Sequence, residues 1–87
     1  MEINLNKNLI DLEGKAIENS NIGKIVANAL ASHTGGDALK FWDWAKKLYS
    51  GKKLDLDPSD LGTLKDFITN HSNFPNLTKA QILEILK

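Results

Sequence analysis

Four places in the 87-residue sequence hold residue types that could do chemistry: two histidines, His33 and His71, a set of aspartates at Asp55, Asp57 and Asp60, a Gly35-Gly36 pair ahead of Lys40, and the aromatic run Phe41-Trp42-Asp43-Trp44 with lysines around it. A zinc site built on the histidines would need two further acidic ligands, and neither histidine has a metal-binding spacing. Each lies near the C-terminal end of an expected helix, where an imidazole can hydrogen-bond the last carbonyls and suits the helix dipole. Among the aspartates, Asp57 reads as an N-cap, Asp60 as an acid in a first helical turn, and Asp55 as an outward residue of a short strand. They are not two acids facing across a cleft with separated pKa values. The stretch Asp55 to Asp60 also lacks the glycine and terminal glutamate of a calcium loop. Gly35-Gly36 reads as a helix stop, because the lysine-serine pair of a phosphate-binding loop is missing. Ser20, Ser32, Ser50, Ser59 and Ser72 fall in caps, helix ends or loops, none in a nucleophile elbow. There is no cysteine, which removes thiol chemistry, disulfides and Cys-ligated zinc. The expectation is a protein without catalysis, cofactor or metal.

The aromatic run is the strongest remaining signal. Trp42 and Trp44, with Lys40, Lys46, Lys47, Lys52 and Lys53, support three readings. At helical spacing such residues are first of all core with a lysine fringe. Second, a tryptophan at the border of an apolar face suits a protein interface, where this residue is favoured at hot spots. Third, aromatics interleaved with lysines can stack bases and track a phosphate backbone. Zero formal net charge and the absence of arginine, whose planar fork pairs with phosphate and guanine, demote nucleic acid. Charge is nonetheless segregated: residues 38–53 hold five lysines and one aspartate, and residues 54–66 hold four aspartates and one lysine. These are either solvated faces that pair loosely or a bipolar surface for a charged partner or a second copy.

These residues need a scaffold. The length allows one domain, which buries only about 60% of its unfolded surface. With 41% hydrophobic and 25% charged residues, the composition is that of a globular protein. No apolar run approaches the roughly 20 residues of a membrane span, and the first residues lack a secretory pattern, so a cytoplasmic setting is expected. The first 17 residues read as a β-hairpin turning at Glu13-Gly14, with Lys15-Ala16-Ile17 as the return strand. Ile3, Leu5 and Leu9 are odd, Ile10 and Leu12 even, so burying both sets calls for a bulge or a change of face near Leu9-Ile10. Leu54-Asp55-Leu56 suits a third strand at the hairpin's edge.

Helices are expected over 22–33, 37–50, 58–70 and 79–87. Ser20 or Asn21 caps the first and Asp37 suits the start of the second. In the second, Ala38, Phe41, Ala45, Leu48 and Tyr49 form the centre of an apolar arc, with Trp42 and Trp44 at opposite borders. So wide an arc belongs to a central helix or to one that keeps a border tryptophan for a partner. Asp57-Pro58 opens the third helix. Thr78-Lys79-Ala80-Gln81 reads as a capping box for the fourth. The fold class is therefore α+β, mostly helical, a short N-terminal β-hairpin resting on four helices.

The segments Leu9-Ile10-Asp11-Leu12-Glu13-Gly14-Lys15-Ala16-Ile17, Gly36-Asp37-Ala38-Leu39-Lys40, Lys47-Leu48-Tyr49 through Leu54-Asp55-Leu56, and Ala80-Gln81-Ile82-Leu83-Glu84 follow one another in an order that resembles small proteins encoded by tailed bacteriophages and prophages of gut bacteria. The resemblance spans nearly the whole chain and implies an origin, with no activity attached. It joins the residue-level reading in one expectation: a phage-encoded protein–protein interaction module that binds a host or virion protein, or itself, through the Trp42/Trp44 helix. A single-stranded nucleic-acid accessory protein using the same helix is the alternative.

Overall fold

Capping side chains mark the starts of three of the four helices, and short strands lie between. In the computed structural model, which describes residues 1–87, the order is β1 (Glu2–Ile3), β2 (Asn8–Ile10), β3 (Ala16–Asn21), α1 (Ile22–Ser32), α2 (Ala38–Tyr49), β4 (Leu54–Asp55), α3 (Pro58–Asn70) and α4 (Asn76–Leu86). This is a mostly helical α+β fold. Asn21, Asp37 and Asp57 each accept the N–H three residues on, at 3.0, 3.1 and 2.7 Å, which satisfies a donor the helix itself leaves orphaned. Two more donors at the start of α1 find partners in the N-terminal segment: the Ile22 N–H donates to the Lys7 carbonyl and the Gly23 N–H to the Leu5 carbonyl, both at 2.8 Å. Gly51, at φ +79°, ends α2. Its N–H donates to the Leu48 carbonyl and that of Lys52 to the Lys47 carbonyl, the paired bonds of a Schellman stop.

One apolar core of 18 buried residues receives side chains from every helix and both ends of the strand system. Leu5, Val26, Leu64, Ile68, Ile82 and Leu86 are wholly inaccessible; burying each such side chain contributes about 1.5–3 kcal/mol. α1 and α2 run antiparallel through a five-residue connection, residues 33–37.

The strands differ from expectation in two ways. β1 pairs antiparallel with β4, Glu2 opposite Asp55 and Ile3 opposite Leu54, so the third strand joins β1 and not the hairpin edge. The reason lies in residues 5–7, where the carbonyls of Leu5 and Lys7 are occupied by the start of α1; this wrap ends β1 and begins β2. The hairpin is β2 with β3 and turns as expected around Gly14 (φ +85°), with the Asp11 carboxylate accepting the N–H groups of Glu13 and Lys15. Its register breaks at the expected place, between Asn8 and Ile10, which face Asn21 and Ala16. The surplus residues lie on β3, however, where Asn19 takes φ +59°, a conformation asparagine tolerates. The Ser20 hydroxyl there accepts the Leu9 N–H at 3.0 Å and donates to the Ile17 carbonyl at 2.6 Å. Ile3, Leu5 and Leu9 are buried while Ile10 and Leu12 are 48% and 99% exposed. A single alternation thus suffices, and no change of face is needed.

α4 starts three residues before the expected position. Pro75 is its N-cap, with no side-chain capping bond, and Thr78 is buried within the helix. The Gln81 side chain, free of a capping role, clasps the backbone of Ile10: its Oε1 accepts the Ile10 N–H at 2.8 Å and its Nε2 donates to the Ile10 carbonyl at 2.7 Å. The amide occupies the outer edge of β2 as a neighbouring strand would. Gln81→Ala is expected to cost about 1–2 kcal/mol, two exposed hydrogen bonds at the lower end of their usual worth. Faster amide exchange confined to Ile10 and its hairpin neighbours would accompany the loss. Unchanged exchange at Ile10 would show that the clasp does not hold the strand.

Candidate functional site

The structure separates the seven residues that the sequence groups together. Trp44 is 5% exposed and stacks on Phe41 at a centroid distance of 5.6 Å, so it belongs to the core and cannot contact a partner. Lys40 donates to the Asp60 carboxylate at 2.7 Å. That hydrogen bond, and the charge behind it, hold the Lys40 ammonium above the ordinary lysine pKa. Lys47 pairs with Asp43 one turn back at 3.1 Å. Lys46, Lys52 and Lys53 have no acidic partner, and Trp42 is 55% exposed. Of the expected set, Trp42, Lys46, Lys52 and Lys53 therefore stay available, while Trp44, Lys40 and Lys47 are committed within the fold.

Helical geometry explains the division. Residues at 100° intervals put Phe41, Trp44, Ala45 and Leu48 on one face of α2, and that face is buried. The arc continues past its edge on the Trp42 side, where Leu39, Trp42 and Tyr49 stand in solvent. Tyr49, expected at the centre of the buried arc, is as exposed as Trp42, and Ala38 is exposed too. Leu39, Trp42, Lys46 and Tyr49 follow one another at intervals of three, four and three residues, the spacing of a coiled-coil seam. The sequence holds that spacing openly; missing from it was which edge of the arc would be left uncovered.

Beside the seam, α1 presents small residues. Ala27 and Ala31 with Ala45 form the floor of a groove of about 410 Å³ between α1 and α2, and Trp42 and Tyr49 form its α2 wall. Two lysines lie over the wall's rings: Lys46 Nζ is 5.9 Å from the centre of a Trp42 ring and Lys24 Nζ is 5.4 Å from that of Tyr49, within cation–π range. Lys24, on α1, was not among the expected residues. Like Lys46 it has no acidic partner, and the groove lining contains no carboxylate.

The histidines meet elsewhere. Their backbone N–H groups, not the imidazoles, turn back onto α1 and α3, at 3.4 and 3.3 Å. The rings pack on Phe67 from two sides, with centroids at 5.0 Å for His33 and 5.3 Å for His71, and Phe74 lies 4.4 Å beyond His71. Both line a cleft of about 570 Å³ with Asn28, Asn73 and Phe74. No three His, Cys, Asp or Glu side chains converge anywhere in the molecule, and no helix is long and apolar enough to cross a membrane. The aspartates take the places expected of them: Asp57 is an N-cap, Asp60 a first-turn acid bonded to Lys40, and Asp55 an exposed strand residue. No family model, curated protein or solved structure matches the chain.

Proposed function

We propose that this chain is a non-catalytic interaction module that holds a protein partner in the groove between α1 and α2. The observation that supports this reading is exposed Trp42 and Tyr49 beside an alanine floor, with exposed Leu39 one turn before Trp42 on α2. Isolated apolar side chains are normal on any surface, but a contiguous set that includes a half-exposed tryptophan is the composition of a binding patch. The groove accepts side chains from a partner without rearrangement of the core, because Trp44 and not Trp42 supplies the aromatic packing inside. The resemblance to small phage- and prophage-encoded proteins supports a host or virion protein as the partner, met in the cytoplasm of the bacterial host.

Affinity capture from such a host, run side by side with the wild-type chain and a Trp42→Ala/Tyr49→Ala variant, tests the reading. Both are expected to fold, because neither Trp42 nor Tyr49 belongs to the buried core. A partner retained by the wild type and lost from the variant, with sizing at several concentrations to separate self-association from a second protein, is the expected result. Equal recovery by both chains would remove the groove from the function.

A further inference from the structure

We propose that the occupant of this groove is an acidic amphipathic helix. The inference rests on the reading of the groove as the working surface and adds the shape and charge of what enters it. Shape comes from the walls. Two antiparallel helices make a trough open along their length, and helix-in-groove recognition uses anchors at i, i+3 or i+4, and i+7. Trp42 and Tyr49 are seven residues apart, about 10.5 Å along the axis at 1.5 Å per residue, the distance between corresponding side chains two turns apart on a partner helix. Small residues on the floor let a backbone approach closely; an extended segment would place its unpaired N–H and C=O groups against alanine methyls, at a desolvation cost.

Charge comes from the rim. Lys46 of α2 lies over a ring of Trp42, and Lys24 of α1 lies over the ring of Tyr49, so each aromatic side chain of the groove wall carries an ammonium. Neither lysine has a carboxylate partner. The acid nearest to Lys46 in sequence, Asp43, is held by Lys47. An apolar helix edge flanked by glutamates or aspartates would meet the two aromatic rings and the ammonium beside each of them, so that its potential complements that of the groove. A second copy of this chain is the weaker occupant. An isologous contact across a two-fold axis would set one groove, whose lining has a lysine and no carboxylate, against another of the same kind, and like charges opposed in an interface cost affinity. Single-stranded nucleic acid is disfavoured because two of the fringe lysines are spent on Asp60 and Asp43 and one tryptophan is buried.

The test is selection from a displayed library of amphipathic helices about three heptads long. Leucines form the seam, and the flanking positions are drawn equally from Glu, Lys, Gln and Ser. The full chain is the bait. Enrichment of Glu at the flanks is expected. A synthetic peptide of the selected sequence should bind about tenfold more weakly to Lys24→Glu/Lys46→Glu and to Trp42→Ala, and Lys-for-Glu exchange in the peptide should restore binding to the charge-reversed chain. Selected helices without charge bias, still dependent on Trp42, would overturn the acidic occupant and leave the groove standing. Helices that bind Trp42→Ala as well as wild type would overturn both. Failure to select any helix, a groove closed by a second copy, or competition by a thymidine oligonucleotide for Trp42 would each overturn the proposal.

Discussion

Trp44→Ala is expected to lower the free energy of unfolding by about 3–5 kcal/mol, whereas Trp42→Ala should lower it by only about 1–2 kcal/mol. The two residues share a helix, an amino-acid type and a place at the edge of one apolar arc, yet the fold uses them in opposite ways. Trp44 is buried and stacks on Phe41, and Phe41 meets Phe67 of α3 edge-on at 5.6 Å. Removing the indole leaves a cavity in the core beside Phe41. A domain of this size has about 4–13 kcal/mol in total, so the Trp44 variant loses a large share of it and Trp44→Phe an intermediate amount. Trp42 gives up less, since over half of it is in solvent in the free chain. Urea unfolding of both variants checks this, with an unchanged slope showing that the native state alone is affected. Equal losses would make Trp42 a packing residue, and the groove would then have no free wall.

Features written into neighbouring residues were legible before the structure. The Asp57-Pro58 start, Asp37 at the start of α2, Asn21 and the Glu13-Gly14 turn each depend on atoms within four residues of one another. Features that depend on distant partners were not. The apolar arc of α2 announces its width, but whether the Trp42 or the Trp44 edge is covered depends on where α1 and α3 lie. Tyr49 falls near the centre of the arc on a helical wheel because the wheel carries no neighbour; once α1 approaches through alanines, that edge of the arc is left open. β1 finds β4 across more than 50 residues, and Gln81 finds Ile10 across 71. The capping box at Thr78 failed for a local reason, since Pro75 allows an earlier start that buries Thr78. The division into a basic and an acidic segment proved partly internal: Lys40 reaches across it to Asp60, while Lys46, Lys52 and Lys53 remain unpaired.

The close approach of α1 to α2 also rests on one residue whose importance is invisible in its helix. Gly23→Val is expected to cost about 3 kcal/mol, the upper part of the range for overpacking. On propensity alone, replacing a helical glycine gains stability. Here an added Cβ would stand 3.0 Å from the Leu48 carbonyl oxygen, 3.2 Å from Asn21 Oδ1 and 3.4 Å from the Leu5 carbonyl oxygen. None of the three is free to retreat. Leu48's carbonyl accepts the Gly51 N–H that stops α2, Leu5's accepts the Gly23 N–H itself, and Asn21 Oδ1 caps α1. Gly62 in α3 supplies the control, because an added Cβ there meets nothing within 4 Å; Gly62→Ala is expected to stabilise by about 0.5–1 kcal/mol. The consequence reaches the groove. Separating α1 from α2 at Gly23 moves Ala27 and Ala31 away from Ala45 and widens the floor on which a partner helix would lie. Gly23→Val, studied at temperatures where it remains folded, should therefore bind the selected helix more weakly although Trp42, Tyr49, Lys24 and Lys46 are all intact. Wild-type stability in that variant, measured by urea unfolding, would mean that the two helices are not held together at this point and that the groove's width has another source.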